Sequence, residues 1–459
     1  MTDTTLLILG ASGDLTRRLL LPGIGSLLER EPHRPVRIVG ADRAELTTTE
    51  FADRVAESLG EGGCATEVVS RLQEQCAYHP IDVTDSAALG EVIGAYSGSE
   101  RLIVYFALPP AVTERACRAM LSVDLPECVH LAMEKPFGRD EASARALNKL
   151  VARLAPDERV HRVDHFLGKS SVLDIMALRF ANRMLQAVWS AEHIESIEIA
   201  YDEQLALEGR AGYYDHAGAL VDMIQSHLLH VMAVVTMEPP AEISDRELRD
   251  AKSAVLRATR LWGGEAATAS RRGRYTAGSI AGRPVPDYAA EQGVDPERDT
   301  ETMAQITVEV ANQRWAGVPI TLRSGKALGE TRKHVVITFA DVRHLPAGFA
   351  GPDPKDRLII GLSPDVMELH LTTNTAADPL ALEQSVLRTD LRHAELEAYG
   401  EVLAAILDGE VILSVRGDAA EECWRITDEV LAAWHAGVVP MTDYPAGSPV
   451  PEDWHPALR

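Results

Sequence analysis

A histidine, a lysine and an acidic residue stand close together in the segment RVDHFLGK at 162–169. His165 and Lys169 are four residues apart, so a helical turn would place two phosphate-binding donors on one face. Asp164 would be out of place in a pure anion site, but a carboxylate is suited to orient a catalytic imidazole. The spacing therefore predicts an anion site with acid–base chemistry beside it.

A further histidine could supply that imidazole. His227 ends the segment DMIQSH at 222–227, inside a long apolar stretch with helical periodicity. A neutral imidazole accepts a proton near pH 7. However, a single histidine on such a helix is more often a core residue, and His216 and His230 lie nearby in the chain. The residues alone leave open which of the three, if any, is catalytic.

The turn after the first predicted strand contains the glycines of a phosphate-binding loop. The segment GASGDL at 10–15 follows an apolar run at 5–10 and opens a helical pattern. Gly10 and Gly13 let the backbone approach a pyrophosphate, which the start of the helix can hold. The pattern falls short of the full GxGxxG fingerprint, so a plain tight turn is the alternative. Its place at the first strand–helix junction favours a dinucleotide site.

The end of the second predicted strand carries two residues that could select the dinucleotide. In such folds an acidic residue bonds the ribose 2′-OH of NAD, and an arginine pairs with the 2′-phosphate of NADP. Asp42 and Arg43 offer both groups side by side. We expect Arg43 to contact the 2′-phosphate and Asp42 to be a solvated turn charge.

A lysine stands at the end of a later strand, in the segment MEKPFG at 133–138. Ligands bind at the carboxyl ends of the strands in open α/β sheets, so Lys135 would face the crevice. The residue before proline is held extended, which fixes where Lys135 points. The alternative is a solvated lysine in a turn.

Two domains must position these residues. Strands and helices alternate through residues 1–164, which predicts a doubly wound, Rossmann-like α/β domain that binds a dinucleotide. Residues 165–459 begin with long helical stretches near 169–186, 216–236 and 244–258 and continue with strand candidates from 306 to 373. This order predicts a larger α+β domain with a mostly antiparallel sheet, closed by helices near 393–408 and 418–435.

Composition narrows the class of protein. A formal net charge of −24 argues against nucleic acid and anionic membrane surfaces as partners. The five cysteines are scattered and none has zinc-site spacing, so we expect reduced thiols and no metal. The first ten residues resemble a strand rather than a signal, and no apolar run is expected to cross a membrane, so a cytoplasmic location is predicted. An anionic ligand would need a local basic pocket on this acidic chain.

These motifs, in this order, resemble the glucose-6-phosphate dehydrogenase family, and the resemblance covers nearly the whole chain. It extends to EGRAGYYD at 208–215, MEP at 237–239, GVP at 317–319, RSGK at 323–326 and YPAGS at 444–448. DHFLGK at 164–169 is the specific signature, whereas EKP occurs in other sugar oxidoreductases. The resemblance implies oxidation of glucose 6-phosphate at C1 to 6-phosphogluconolactone, with hydride transfer to NADP or, as second choice, NAD.

The resemblance also implies roles for individual residues. His227 would be the general base at the C1 hydroxyl, and Asp164 would orient it. The residues implied to bind the sugar phosphate are His165, Lys169, Glu203, Asp222, Lys135 and Lys326. Those implied to hold the dinucleotide are Gly10, Ala11, Ser12, Gly13, Asp14, Leu15, Arg43 and Lys135. A homodimer or homotetramer formed through the large sheet is implied as well.

The sequence departs from the family pattern at four positions. Leu19 stands where the family usually has lysine, and Phe166, Ser170 and Ser226 replace tyrosine, glutamate and asparagine. The missing cation at Leu19 supports one alternative, a catalytically silent paralogue that binds NADP or sugar phosphate as a regulatory subunit. Another alternative is a dehydrogenase of unphosphorylated sugars, which would give His165 and Lys169 no anion to bind.

Overall fold

The computed structural model describes residues 4–209, 211–351, 355–391, 396 and 398–454. The chain divides into two compact units. The first contains residues 1–169, 240–253 and 394–421, and the second contains residues 170–239, 254–393 and 422–459. The sequence predicted a domain boundary between residues 164 and 165, five residues before the point where the chain first passes from the first unit to the second. It did not predict that residues 240–253 and 394–421 belong to the first unit, because sequence patterns show the order of elements along the chain but not which distant segments pack together.

The first unit is built on a parallel sheet of six strands. They are β1 Thr4–Leu9, β2 Val36–Asp42, β3 Ala77–Pro80, β4 Arg101–Phe106, β5 Val129–Met133 and β6 Val160–Arg162. Their order is β3-β2-β1-β4-β5-β6, with every pair parallel. This is the strand order of a doubly wound dinucleotide-binding domain, which confirms the predicted fold. β3 and β6 escaped prediction because runs of four and three residues carry little periodicity.

The α-helices lie between and after these strands. In chain order they are α1 Leu21–Arg30, α2 Thr48–Glu61, α3 Thr66–Gln75, α4 Ser86–Ala95, α5 Pro110–Met120, α6 Glu141–Val151, α7 Ser170–Ala181, α8 Arg183–Val188, α9 Ala211–Ala219, α10 Leu229–Thr236, α11 Asp245–Ala258, α12 Ala266–Ala269, α13 Ala398–Asp408 and α14 Gly417–His435. Two segments, Thr16–Leu20 and Leu220–Leu228, are π-helical. Wide helical turns of this kind are rare and occur often at functional sites.

The second unit contains a ten-stranded sheet and a small hairpin. Its strands are β7 Ile194–Asp202, β8 Thr259–Leu261, β9 Ser270–Thr276, β10 Gly278–Ile280, β11 Arg283–Val285, β12 Met303–Val310, β13 Ile320–Gly325, β14 Arg332–Phe339, β15 Arg357–Gly361, β16 Val366–Asn374, β17 Leu382–Asp390 and β18 Met441–Pro445. The order is β17-β16-β15-β14-β7-β13-β12-β9-β18, and β8 pairs with β12. Only β7–β13 and β9–β18 are parallel among the described pairs of this sheet, so the predicted mostly antiparallel sheet is confirmed.

The second unit also contains a long apolar helical stretch. It extends from Ala211 to Thr236 and is interrupted at Gly218, whose φ is +66°. By length and hydropathy it could cross a membrane, contrary to the sequence expectation, but 78% of its apolar window is buried inside the protein. A helix buried all round is typical of a protein core. Its composition therefore reflects packing within the second unit.

Candidate active site

The glycine turn after β1 is imposed by close packing. Gly10 has a φ of +88°, and a Cβ there would lie 2.2 Å from the carbonyl oxygen of Ala107, just past β4. The Gly13 N–H and the Thr16 hydroxyl both donate to the Gly10 carbonyl, at 3.0 and 3.1 Å. Packing within the fold therefore requires glycine at position 10. The turn also lies at the carboxyl edge of the parallel sheet, which is where dinucleotides bind in such folds.

Asp42 does not behave as a solvated turn charge. Its Oδ2 accepts bonds from the Ser12 backbone N–H at 3.2 Å and the Ser12 hydroxyl at 2.6 Å. Its Oδ1 accepts the backbone N–H of Arg43 at 2.7 Å. The carboxylate thus ties the end of β2 to the glycine turn. The Arg43 residue is exposed at the same edge, where it is available to a ligand.

The loop that carries Lys135 is held by a half-buried carboxylate, that of Glu134. The hydroxyls of Tyr105 and Tyr399 both donate to Glu134, and the two hydroxyl oxygens lie 2.8 Å apart. Burial raises the pKa of Glu134, although both tyrosine bonds oppose the shift. This network fixes the backbone beside Lys135, and sequence reasoning missed it because Tyr399 lies 265 positions from Glu134.

The segment 164–169 forms a short turn rather than an α-helix. Asp164 is buried and caps a 3₁₀-helix, His165–Gly168, by accepting the Phe166 N–H at 3.0 Å. Lys169 follows in an extended conformation, so the same-face argument from α-helical spacing does not apply. Instead, Phe166 lies between the two predicted donors. The His165 ring packs edge-on against the Phe166 ring, with 5.0 Å between the two centroids. The Lys169 Nζ lies 5.2 Å from the centroid of the same Phe166 ring.

A buried lysine in the first unit was also missed from sequence. Lys252 lies in α11 and is only 7% exposed. Burial lowers its pKa to about 8, although the negative charge of Asp164 acts in the opposite direction. Nothing in the sequence around Lys252 marks it as functional, because α11 is an ordinary amphipathic helix. Only the fold brings Lys252 near Asp164, the residue that caps the 164–169 turn.

In the second unit, Glu203 is clamped by two lysines. Lys326 and Lys333 place their Nζ atoms 3.1 and 2.9 Å from the two carboxylate oxygens. Glu203 follows β7, which is flanked in the sheet by β13 and β14, the strands that position the lysines. Burial raises the pKa of Glu203, but the two ammonium groups outweigh it and leave the pKa below its usual value. Sequence reasoning predicted Glu203 and Lys326 but missed Lys333.

The structure separates the three histidines of the long helical stretch. His216 is exposed, with Nδ1 3.0 Å from the Gly212 carbonyl oxygen. His230 is buried, and its Nε2 lies 3.8 Å from the Cys423 sulfur. His227 is buried in the π-helical segment that also carries Asp222, whose Oδ1 accepts the Tyr213 hydroxyl at 3.3 Å.

The predicted site residues fall into two groups. The glycine turn, Arg43, Lys135, Asp164, His165 and Lys169 belong to the first unit, and Glu203, Asp222, His227 and Lys326 belong to the second. The predicted interaction of Asp164 with His227 therefore joins residues of different units and stays a prediction. Within each unit, the structure brings together Glu203 with Lys326, and the Phe166 ring with His165 and Lys169.

Comparison with known proteins covers both units. The model of the glucose-6-phosphate dehydrogenase NAD binding domain matches residues 7–174, and that of the C-terminal domain matches residues 176–458. The glucose-6-phosphate 1-dehydrogenase of Dickeya dadantii is 33% identical, covering 96% of this chain and 94% of the relative. That of Gluconobacter oxydans is 34% identical, with coverage of 97% and 94%.

Solved structures of glucose-6-phosphate dehydrogenases are similar to this chain over nearly its full length. The glucose-6-phosphate 1-dehydrogenase of Mycobacterium avium has a TM-score of 0.85 at 32% identity, covering 98% of this chain and 96% of the other. A glucose-6-phosphate dehydrogenase in complex with its substrate glucose 6-phosphate has a TM-score of 0.86 at 28% identity, with the same coverage. With both of its parts matched by family models and its full length by relatives, this chain belongs to the glucose-6-phosphate dehydrogenase family.

Proposed function

We propose that this protein is a glucose-6-phosphate 1-dehydrogenase that oxidises the sugar phosphate at C1 and transfers the hydride to NADP. One observation carries the proposal. Family models match both parts of the chain, and the chain has charged residues at the positions to which the family resemblance gives a role in binding or catalysis. The glycine turn and Arg43 suit a phosphorylated dinucleotide, and the DHFLGK turn and the Glu203 clamp suit a sugar phosphate.

The dinucleotide fits the first unit on chemical grounds. A tight glycine turn at the carboxyl edge of a parallel sheet admits a pyrophosphate to the start of the helix over 14–30. The exposed Arg43 supplies a cation for a 2′-phosphate. When bound, the nicotinamide supplies a hydride acceptor. Lys135, fixed by the Glu134 network, is proposed to hold substrate and cofactor at their meeting point.

His227 is proposed as the base that removes the proton from the C1 hydroxyl. A neutral imidazole can accept a proton near pH 7. Asp164 is proposed to orient the ring and stabilise its protonated form. His216 is exposed and His230 faces Cys423, so His227 is the better candidate of the three.

The sugar phosphate is proposed to be held by charges from separate segments. His165 and Lys169 would bind the 6-phosphate, Glu203 and Asp222 would bond the sugar hydroxyls, and Lys326 would close the pocket. The lysines that pair with Glu203 keep its carboxylate ionised and turned toward them. Such an arrangement would let an acidic protein bind an anion, since it would place positive charges around the ligand while the net charge stays negative.

Two proposals concern the protein beyond its site. We propose a homodimer or homotetramer formed through the large sheet, where β17 exposes the apolar side chains of Val386 and Leu387 at 49% and 62%. Light scattering on the purified protein would test this, and a monomer at micromolar concentration would contradict it. A cytoplasmic location and the absence of nucleic-acid and membrane partners remain proposals from charge and composition.

One experiment separates the main proposal from its rivals. Purified protein is mixed with glucose 6-phosphate or glucose and with NADP or NAD, and the reduced nicotinamide is followed by absorbance. We expect turnover that depends on the phosphorylated sugar and is faster with NADP. Equal rates with glucose would indicate a dehydrogenase of unphosphorylated sugars. Binding of glucose 6-phosphate without turnover would support the catalytically silent paralogue. That alternative is based on Leu19, which is 51% exposed in the first π-helical segment and stands where the family usually has lysine.

A further inference from the structure

A buried carboxylate lies at the start of the helix that carries Asp222 and His227. Glu301 precedes β12 and is only 6% exposed. Its Oε1 accepts the backbone N–H of Leu220, the first residue of the π-helical segment, at 2.9 Å. Its own backbone carbonyl accepts the N–H of Ala219 at 3.3 Å. One residue of a distant strand segment thus binds two consecutive donors at the helix start.

The helix needs these acceptors because the preceding turn breaks there. Gly218 has a φ of +66°, so the helical hydrogen bonds of α9 do not continue into the next segment. The first N–H groups of a helix have no partner within it and must bond elsewhere. A Cβ at Gly218 would lie 2.3 Å from the Glu301 Oε1, so the carboxylate occupies the space that only glycine leaves.

The same strand segment also anchors Lys326. The N–H of Lys326 donates to the Thr302 carbonyl at 2.9 Å, and the Thr302 hydroxyl bonds the Tyr275 N–H at 2.9 Å. Residues 301 and 302 therefore fix two parts of the proposed sugar site, the helix start on one side and Lys326 on the other. A displacement at Glu301 would move groups that belong to the reacting region.

We propose that Glu301 is a positioning residue that sets the start, and hence the direction, of the helix presenting Asp222 and His227. This inference rests on the proposed function for its activity readout, but the contacts themselves do not depend on it. A misplacement of about 1 Å in a reacting group can cost roughly a hundredfold in rate, so the position of the helix start has consequences for turnover.

Protonation of this carboxyl adds a second signature. Burial raises the pKa of Glu301 to about 7, while the Leu220 N–H and Arg272 oppose the rise and Asp299 adds to it. Among the described residues, Tyr214 and Tyr288 also interact electrostatically with it. Because the folded pKa lies above the unfolded value, the stability contributed by the group is full below about pH 4.5 and is lost as pH rises through 7. Glutamine, which does not titrate, would remove that loss.

The test compares three variants of the full chain. Glu301→Ala removes the acceptor, Glu301→Asp withdraws it by one methylene, and Glu301→Gln keeps it without the charge. We expect kcat to fall at least tenfold in the alanine and aspartate variants, and to stay within threefold of wild type for glutamine. The thermal midpoint of Glu301→Gln relative to wild type should rise between pH 5 and 8. Glu238→Ala is the control, since Glu238 pairs with Arg314 beyond the other end of the same helical stretch.

Hydrogen exchange of the amides at 219–224 gives a readout independent of catalysis. Exchange should accelerate at least tenfold in Glu301→Ala and Glu301→Asp and remain as in wild type for Glu301→Gln and Glu238→Ala. Wild-type exchange and kcat in folded Glu301→Ala would overturn the proposal, as would Glu301→Gln behaving like Glu301→Ala. If wild type lacks turnover but exchange follows the expected order, the proposed function fails while the positioning of the helix stands.

Discussion

Replacing Arg43 with alanine should change cofactor selection more than catalysis. Arg43 is exposed at the end of β2, beside an Asp42 carboxylate that is anchored to the Ser12 hydroxyl at 2.6 Å. An arginine there can pair with a 2′-phosphate, which NADP has and NAD lacks. The selectivity for NADP should therefore depend on this one guanidinium.

The structure sets the size of the effect. A hydrogen bond to a charged group contributes about 1.5–3 kcal/mol, and the exposure of Arg43 places it at the low end, equivalent to roughly tenfold. The Asp42 carboxylate is held at the same edge by bonds from the backbone N–H groups of Ser12 and Arg43, so we expect it to stay there when a 2′-phosphate binds. For an assumed separation of about 6 Å in water, its repulsion of one unit of negative charge on the phosphate would be on the order of 0.7 kcal/mol, or roughly threefold. We therefore expect a modest net preference for NADP.

The assay measures kcat/KM for NADP and NAD at saturating glucose 6-phosphate. Arg43→Ala should lower the value for NADP roughly tenfold and leave that for NAD within twofold. Asp42→Asn should raise the value for NADP roughly threefold. Arg37→Ala is the matched control, because Arg37 is an exposed arginine near the opposite end of β2. Equal losses for both cofactors in Arg43→Ala would refute the assignment of Arg43 to the 2′ position.

His227→Asn should lower kcat by about 10²–10⁴-fold with little change in substrate binding, and a variant that retains most of its turnover would remove His227 as the base. Lys169→Ala should raise KM for glucose 6-phosphate roughly ten- to a hundredfold, with Leu19→Lys partly restoring it; an equal loss with glucose would contradict a phosphate contact. Arg323→Met should lower the thermal midpoint by roughly 5–15 °C, because it leaves the fully buried Asp202 carboxylate without the guanidinium 2.9 Å away. A thermal midpoint within about 2 °C of wild type would show that the Arg323–Asp202 pair contributes little to the free energy of unfolding.

The glycine turn and the alternation of strands and helices were readable from sequence because their signals are local. A buried parallel strand such as β1 is a continuous apolar run, and the glycine that must follow it has a backbone angle other residues avoid. The doubly wound class of the first domain and the mostly antiparallel sheet of the second followed from the same patterns, whereas the strand order came from the structure. Candidate residues in short motifs, such as Asp164 and Lys169 in RVDHFLGK, could be named for the same reason, whereas Glu203 was named only through the family resemblance.

Other features were decided only by tertiary structure. β7 escaped prediction although it lies inside the large sheet, because the buried Asp202 and the half-buried Glu198 interrupt its apolar pattern, and their pairing with Arg323 is set by the fold. The role of Asp42 as an acceptor for Ser12 depends on two segments 30 residues apart meeting at one edge.

The same limit applies to the residues that hold the site in place. Lys333 reaches Glu203 across 130 residues, Tyr399 reaches Glu134 across 265, and Glu301 reaches Leu220 across 81. No local pattern marks a residue whose partner is that far along the chain. The sequence by itself determined which side chains could do the chemistry, whereas the fold decided which buried charges pair with them, since pairing in a low-dielectric interior depends on distances that only packing sets.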